Sequence, residues 1–85
     1  MSIYRTHILV PVDESSVQAG VFEVKRQLEQ ELKARGLEQE VKVLETGTVG
    51  IVGQGVILIV YPERIYYTNI QGEDIKTIVE EHILK

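Results

Sequence analysis

Apolar residues recur at Val17, Val21, Val24, Leu28 and Leu32, at steps of four, three, four and four. That spacing draws one stripe along an amphipathic helix. Asp13, Ser15 and Ser16 stand just before it, all residue types that cap helix N-termini. Glu14 and Glu23 place negative charge toward its start, and Lys33 and Arg35 place positive charge at its end. Both suit the helix dipole. Glu29 and Lys33 form a favourable i,i+4 pair, and Gly36 supplies the stop. Upstream, the stretch from Tyr4 to Val12 contains HILVPV. Its near-continuous apolarity predicts a strand covered on both faces, ending at Pro11, which cannot donate to a ladder. Downstream, QEVKVLE from Gln39 to Glu45 alternates Val41, Val43 and Glu45 against Lys42 and Leu44. Strand, helix and strand make a βαβ unit, so these two strands should be parallel, joined by a right-handed crossover.

The pattern then changes. TGTVGIVGQG, residues 46–55, holds four glycines: Gly47, Gly50, Gly53 and Gly55. VILIVY, residues 56–61, reads as a third strand buried on both faces. Pro62, Glu63 and Arg64 make a turn, and IYYTNI, residues 65–70, is a fourth strand antiparallel to the third. Gly72, Glu73 and Asp74 open a last helix whose buried stripe is Ile75, Ile78, Val79, His82 and Ile83. The predicted order is β-α-β-β-β-α over one α/β domain spanning residues 1–85. No repeat, linker or low-complexity segment interrupts it.

Composition narrows the function classes. The chain is 44% hydrophobic and 26% charged, which is ordinary for a globular domain and unlike a disordered one. The formal net charge of −4 lacks the basic footprint of a nucleic-acid binder. There is no cysteine, which excludes disulfides, thiolate catalysis and thiolate-held metals. The apolar run at residues 56–61 is far short of a membrane span, so no membrane insertion is expected. The N-terminal residues MSIYRTHILVPV lack the layout of a secretory signal, and a cytoplasmic location is expected.

Candidate chemistry is sparse. The glycine segment has no Cys, His, Asp or Glu to hold a metal. It lacks the Lys of a phosphate-binding loop, and it precedes a strand where a dinucleotide fingerprint opens a helix. His7 and His82 are the two histidines, one in the first strand and one on the last helix, and packing is the expected role of both. Ser15 and Ser16 have no base placed beside them by any motif, so capping is their expected role. Tyr66 and Tyr67 are neighbours in a strand and must point to opposite faces. One belongs in the core and the other is free for a partner. The fourth strand is also expected to lie at a sheet edge, where another chain can pair. No residue is nominated as catalytic.

Several segments together resemble the thioredoxin-like [2Fe–2S] ferredoxin domain. They are YRTHILV in the first strand, LEQELKARGLEQEVKVLETG through the first helix and second strand, GQG followed by VILIVYPERIYY, and EDIKTIVEEHILK at the C-terminus. The chain looks in particular like the small domain that begins the NADH-binding flavoprotein subunit of NADH:quinone oxidoreductases and NAD-dependent hydrogenases. The resemblance implies a four-stranded mixed sheet with two helices, the second strand outermost, then the first, third and fourth. It also implies four cluster-ligand positions, which fall here at Pro11, Ser16, Thr48 and Val52. None offers a thiolate. The family's proline after GxG is Val56 here, and VDES replaces the small glycine-bearing segment after the first ligand position. The glycines fit a loop that once brought backbone N–H groups close to cluster sulfurs, and Val52 suggests that the vacated space is closed by apolar packing.

The implied reading is a cluster-free ferredoxin-type domain. It would have a structural or docking role in an NADH dehydrogenase or hydrogenase-type electron-transfer system and no redox activity of its own. Its expected cofactor is none, where the family's is [2Fe–2S]. An alternative is a cysteine-substituted version of a [2Fe–2S] electron carrier of that system. Expected partners are subunits of an electron-transfer complex or a second copy of the chain through the sheet edge. A weaker alternative rests on HILVPVDESS, which is similar to the start of universal stress proteins, where an Asp at the strand end contacts a bound nucleotide. Asp13 holds that place here and reads more readily as a helix cap.

Overall fold

The computed structural model describes residues 4–47 and 54–83. Its strands are β1 (Thr6–Pro11), β2 (Val41–Thr46), β3 (Leu58–Tyr61) and β4 (Ile65–Tyr67). Its helices are α1 (Glu14–Gln18), α2 (Val21–Ala34) and α3 (Gly72–Ile78), and α3 runs on into a π-helical turn at Val79–Ile83. The sheet order is β2-β1-β3-β4, as the family resemblance implies. β1 and β2 are parallel, with Ile8 opposite Val43, and β3 is antiparallel to both β1 and β4. β1 ends at Pro11, where the ladder donor runs out.

The core lies on one face of the sheet. Ile8 and Val10 of β1, Val41 of β2, and Leu58 and Val60 of β3 point into it. Val21, Val24, Leu28 and Leu32 of α2 meet them, with Ile75, Ile78, Val79 and Ile83 from the C-terminal helix. The predicted stripes are thus the packed ones, with two exceptions: His82 is only half-buried, and Val17 lies outside the core cluster. Val17 is 46% exposed. The long helix is broken at Gly20, whose φ of 87° is left-handed, so α1 and α2 do not share one face. Glycine takes that conformation without strain.

Other predicted boundaries also move. β4 stops at Tyr67, three residues before the predicted end. Asn69 turns left-handed with φ 52°, and Ile70 drops into the core. Val56 and Ile57 are buried but precede β3. β1 is not sealed on both faces, because His7 and Leu9 are only half-buried. Glu29 pairs with Lys25 at 3.4 Å, not with Lys33. The stop at Gly36 holds. Leu37 N–H donates to Leu32 at 2.8 Å and Gly36 N–H to Lys33 at 3.1 Å, which closes a Schellman motif around φ 70°.

No helix among the described residues is long and apolar enough to cross a membrane.

Candidate functional site

The candidate site lies at the end of the sheet where β1 and β2 finish together. Pro11 is paired with Thr46, and Val12 N–H donates to Thr46 at 2.8 Å. The parallel register therefore brings the turn after β1 beside the start of the glycine segment. Thr48 lies two residues beyond the Pro11–Thr46 pair. Thr48 and Val52 fall outside the described residues, and so does the expected apolar closure by Val52.

Pro11 and Ser16 are both buried, Ser16 at 1% exposure. Asp13 sits between them with extended backbone and caps α1. Its Oδ1 accepts from Ser16 N–H at 2.8 Å. In return, Asp13 N–H donates to Ser16 Oγ at 2.9 Å, and Ser16 Oγ donates to the Asp13 carbonyl at 3.1 Å. This reciprocal box satisfies the first orphan donors of the helix. It also engages the Ser16 hydroxyl both as donor and as acceptor. Ser16 is therefore a capping residue, as the sequence suggests, and so is Asp13. Ser15 is half-buried and takes no part in the box.

This settles the fit to an iron–sulfur cluster. Pro11 has no donor atom at all. Ser16 would have to leave two backbone partners to ligate. The sequence offers only a hydroxyl at Thr48 and an aliphatic side chain at Val52. Cluster iron is held by thiolate or, in a few cases, imidazole, so these residues do not fit the group. Neither histidine is near to making up the set. His7 packs edge-on against Tyr4 at 6.1 Å between ring centres, at the opposite end of β1 from Pro11. His82 lies on the C-terminal π turn. Among the described residues, no group of three or more His, Cys, Asp and Glu side chains is placed to hold a metal.

A groove of about 420 Å³ opens beside this end, between the start of α2 and the segment from Asn69 to Gly72. Glu23 stands in it. Hydrogen bonds from Arg26, then Gln27, hold its carboxyl down at a pKa of about 2. A groove with a carboxylate standing in it is a poor seat for phosphate.

A second cluster was not legible in the sequence. Tyr67 OH lies 2.6 Å from His82 Nδ1, and His82 Nε2 lies 2.6 Å from Glu63 Oε2. The three residues come from β4, the π turn and the β3–β4 turn. The signal in the sequence is the place of His82 on the helix stripe, where a half-buried imidazole requires partners. Which partners it finds depends on the register of the β3–β4 hairpin.

The structure superposes on the thioredoxin-like [2Fe–2S] ferredoxin of Aquifex aeolicus with a TM-score of 0.87, covering 96% of this chain and 88% of that one at 24% identity. The fold is thioredoxin-like. Two single-site variants of the same Aquifex ferredoxin, each with serine for one cysteine, match with TM-scores of 0.84 at 25% identity. They cover 92% of this chain and 86% of theirs. By sequence, a 2Fe–2S ferredoxin of Clostridium pasteurianum is 48% identical over 54 residues, 64% of this chain. The match spans 53% of that relative, about half its length. No family model matches the sequence.

Proposed function

We propose that this chain is a ferredoxin-type domain that carries no cluster and acts as a structural or docking element beside an electron-transfer enzyme. Three observations support the reading. The fold is that of a thioredoxin-like ferredoxin almost end to end. The sequence likeness to a 2Fe–2S ferredoxin is strong over the matched stretch. The chain nevertheless has no cysteine.

The observation that carries the reading is the Asp13–Ser16 box. Ser16 has both its hydrogen-bonding roles taken by the backbone of Asp13. The turn after β1 is thereby built as a helix cap. The system in which such a domain would dock, of the NADH dehydrogenase or hydrogenase type, follows from the family resemblance and belongs to the same proposal. A cytoplasmic location goes with it.

The test is reconstitution with iron and sulfide under anaerobic conditions. The chain as it stands should acquire no visible absorption band and no bound iron. The variant Pro11→Cys, Ser16→Cys, Thr48→Cys, Val52→Cys should acquire about two irons per chain and the low-temperature EPR signal of a reduced [2Fe–2S] centre. A cluster in the unaltered chain overturns the cluster-free reading. A fourfold variant that folds, by circular dichroism, but takes up no cluster overturns the descent from a ferredoxin frame.

A further inference from the structure

The chain contains no cysteine and no tryptophan, and its one methionine is the first residue. A one-electron oxidant that meets it takes an electron most easily from one of four tyrosines: Tyr4, Tyr61, Tyr66 or Tyr67. A phenol yields its electron readily only where its proton can leave at the same time, because the radical cation is a strong acid. The surroundings of the four hydroxyls therefore decide which one reacts.

Tyr67 has a base at its hydroxyl. The oxygen lies 2.6 Å from His82 Nδ1, and His82 Nε2 lies 2.6 Å from Glu63 Oε2. The hydrogen bond with His82 holds the Glu63 carboxyl below its ordinary value, so it accepts a proton bond and has none to give. In the neutral imidazole the proton is then on Nε2, and the lone pair of Nδ1 faces the phenol. Burial, then the charges of Glu63 and Glu81, push the Tyr67 hydroxyl up from its ordinary value. Release of the proton to solvent is opposed, which leaves the imidazole as its path. The same two carboxylates favour a cation on the ring of His82. Arg5, the other charge that acts on Glu63, is held by Glu40 at 2.8 Å and by the Ile83 carbonyl at 2.8 Å.

The other tyrosines lack this arrangement. Lys42 Nζ stands 5.5 Å over the ring of Tyr4, and a cation there opposes the loss of an electron. The hydroxyls of Tyr61 and Tyr66 make no hydrogen bond to a described residue.

We propose that Tyr67 is the one-electron oxidation site of this domain and that His82 takes its proton. The oxidant is an oxygen- or nitrogen-centred radical such as nitrogen dioxide, which leaves as its anion. One electron passes from the phenol to that radical, the O–H bond breaks, and the proton bonds to Nδ1. The products are a neutral tyrosyl radical and an imidazolium paired with the Glu63 carboxylate. A second nitrogen dioxide then bonds to the ring carbon beside the oxygen-bearing one. The hydrogen of that carbon shifts to the phenol oxygen, which gives nitrotyrosine. The site uses no metal and shares no residue with the turn after β1, so it stands apart from the cluster-free reading.

Photo-oxidised ruthenium tris-bipyridine supplies the first step alone, and transient absorption reads the tyrosyl radical. Two chains are compared. One keeps only Tyr67 (Tyr4→Phe, Tyr61→Phe, Tyr66→Phe), and the other keeps only Tyr66 (Tyr4→Phe, Tyr61→Phe, Tyr67→Phe). The first should form its radical at least about tenfold faster, a gain within what a placed base supplies, although Tyr66 is exposed and Tyr67 half-buried. Its rate should fall as His82 gains a proton, followed by NMR of the ring, and should slow in deuterium oxide. His82→Gln in that chain should abolish the gain, since an amide accepts the hydrogen bond but does not hold the proton. If His82→Gln does not fold, Glu63→Gln carries the same test without altering the packed ring, and should slow the radical as well. With nitrogen dioxide, peptide mapping of the unaltered chain should place the nitro group on Tyr67 ahead of Tyr66. Equal rates in the two chains overturn the inference. So does a folded glutamine variant that keeps the full rate, or a nitro group found mainly on Tyr66.

Discussion

The phenol of Tyr67 sits 2.6 Å from Nδ1 of His82, and the far nitrogen of the same ring sits 2.6 Å from Glu63. The Glu63 carboxylate accepts from Nε2–H, and Nδ1 shares the other hydrogen bond with the Tyr67 hydroxyl. The chain of bonds ties the β3–β4 turn and β4 to the C-terminal π turn. The π geometry has a local role here, since it belongs to the turn that delivers His82 to these partners.

Removing the phenol oxygen should loosen this tie. Tyr67→Phe keeps the ring packed against the core and deletes one hydrogen bond. It should cost about 1 kcal/mol in urea unfolding, and His82→Phe in the same background should cost less than it does alone. The pH dependence has a definite sign. Burial, then the charges of Glu63 and Glu81, push the Tyr67 hydroxyl up from its ordinary value. The folded state therefore favours the neutral phenol. Its contribution is complete below about pH 10 and falls away as pH rises through the folded value. The Tyr67→Phe variant should lose less stability than the unaltered chain between about pH 9 and 11.

The capping box at Asp13 and Ser16 should be worth as much as any cap. Asp13→Ala removes the acceptor for Ser16 N–H and should cost about 1 kcal/mol. Ser16→Ala leaves Asp13 N–H without its partner and should cost a similar amount. Ser16→Cys should fall in between, because sulfur accepts weakly. Chemical denaturation of the three variants gives the order directly. If Ser16→Ala proved neutral, the box would contribute nothing and the serine would have no structural claim on its place.

The parts of the fold that sequence made legible are those fixed by periodicity. The stripe Val21–Val24–Leu28–Leu32 and the stripe Ile75–Ile78–Val79–Ile83 are the packed faces of α2 and of the C-terminal helix. The sheet order is the one the family resemblance implies; a βαβ unit and a hairpin alone leave open which strand they share an edge with. The misplaced details sit where a single backbone angle decides. Val17 continues the helical spacing, but the left-handed Gly20 turns it out to solvent. IYYTNI reads as one strand until Asn69 adopts φ 52°. At the candidate site, the capping types were visible in DES–S, but the pairing of Asp13 with Ser16 depends on three hydrogen bonds that no spacing specifies. The Glu63–His82–Tyr67 chain joins residues up to 19 positions apart and exists only once β4 and the π turn are packed.

Glu23 offers a test of the electrostatics near the groove at the start of α2. Arg26 and Gln27 hold its carboxyl at a pKa of about 2. Its folded value is depressed, so its contribution is present above the ordinary carboxylate range and is lost as pH falls through that value. Arg26→Leu should return the Glu23 titration most of the way to an ordinary glutamate, as followed by NMR of the side-chain carboxyl. The group is exposed, so global stability at neutral pH should hardly change.

Gly20 and Gly72 make a paired test of what a glycine is for. A Cβ at Gly20 would meet nothing within 4 Å, so space does not demand glycine there. Its φ of 87° does. Gly20→Ala should therefore cost about 1–2 kcal/mol through backbone conformation alone, and Gly20→Asn less, since asparagine tolerates the left-handed region better. At Gly72 the situation is reversed. A Cβ would come within 2.3 Å of Gln27 Oε1, but the backbone there is not left-handed. The obstacle is the end of a flexible side chain, and alanine is a better helix former than glycine at the first position of α3. Gly72→Ala should thus be close to neutral once Gln27 swings aside. Urea midpoints at unchanged m-value decide the order. If Gly72→Ala proved the more costly change, Gln27 would be fixed between α2 and α3, and the break at Gly20 would be able to accept an ordinary residue.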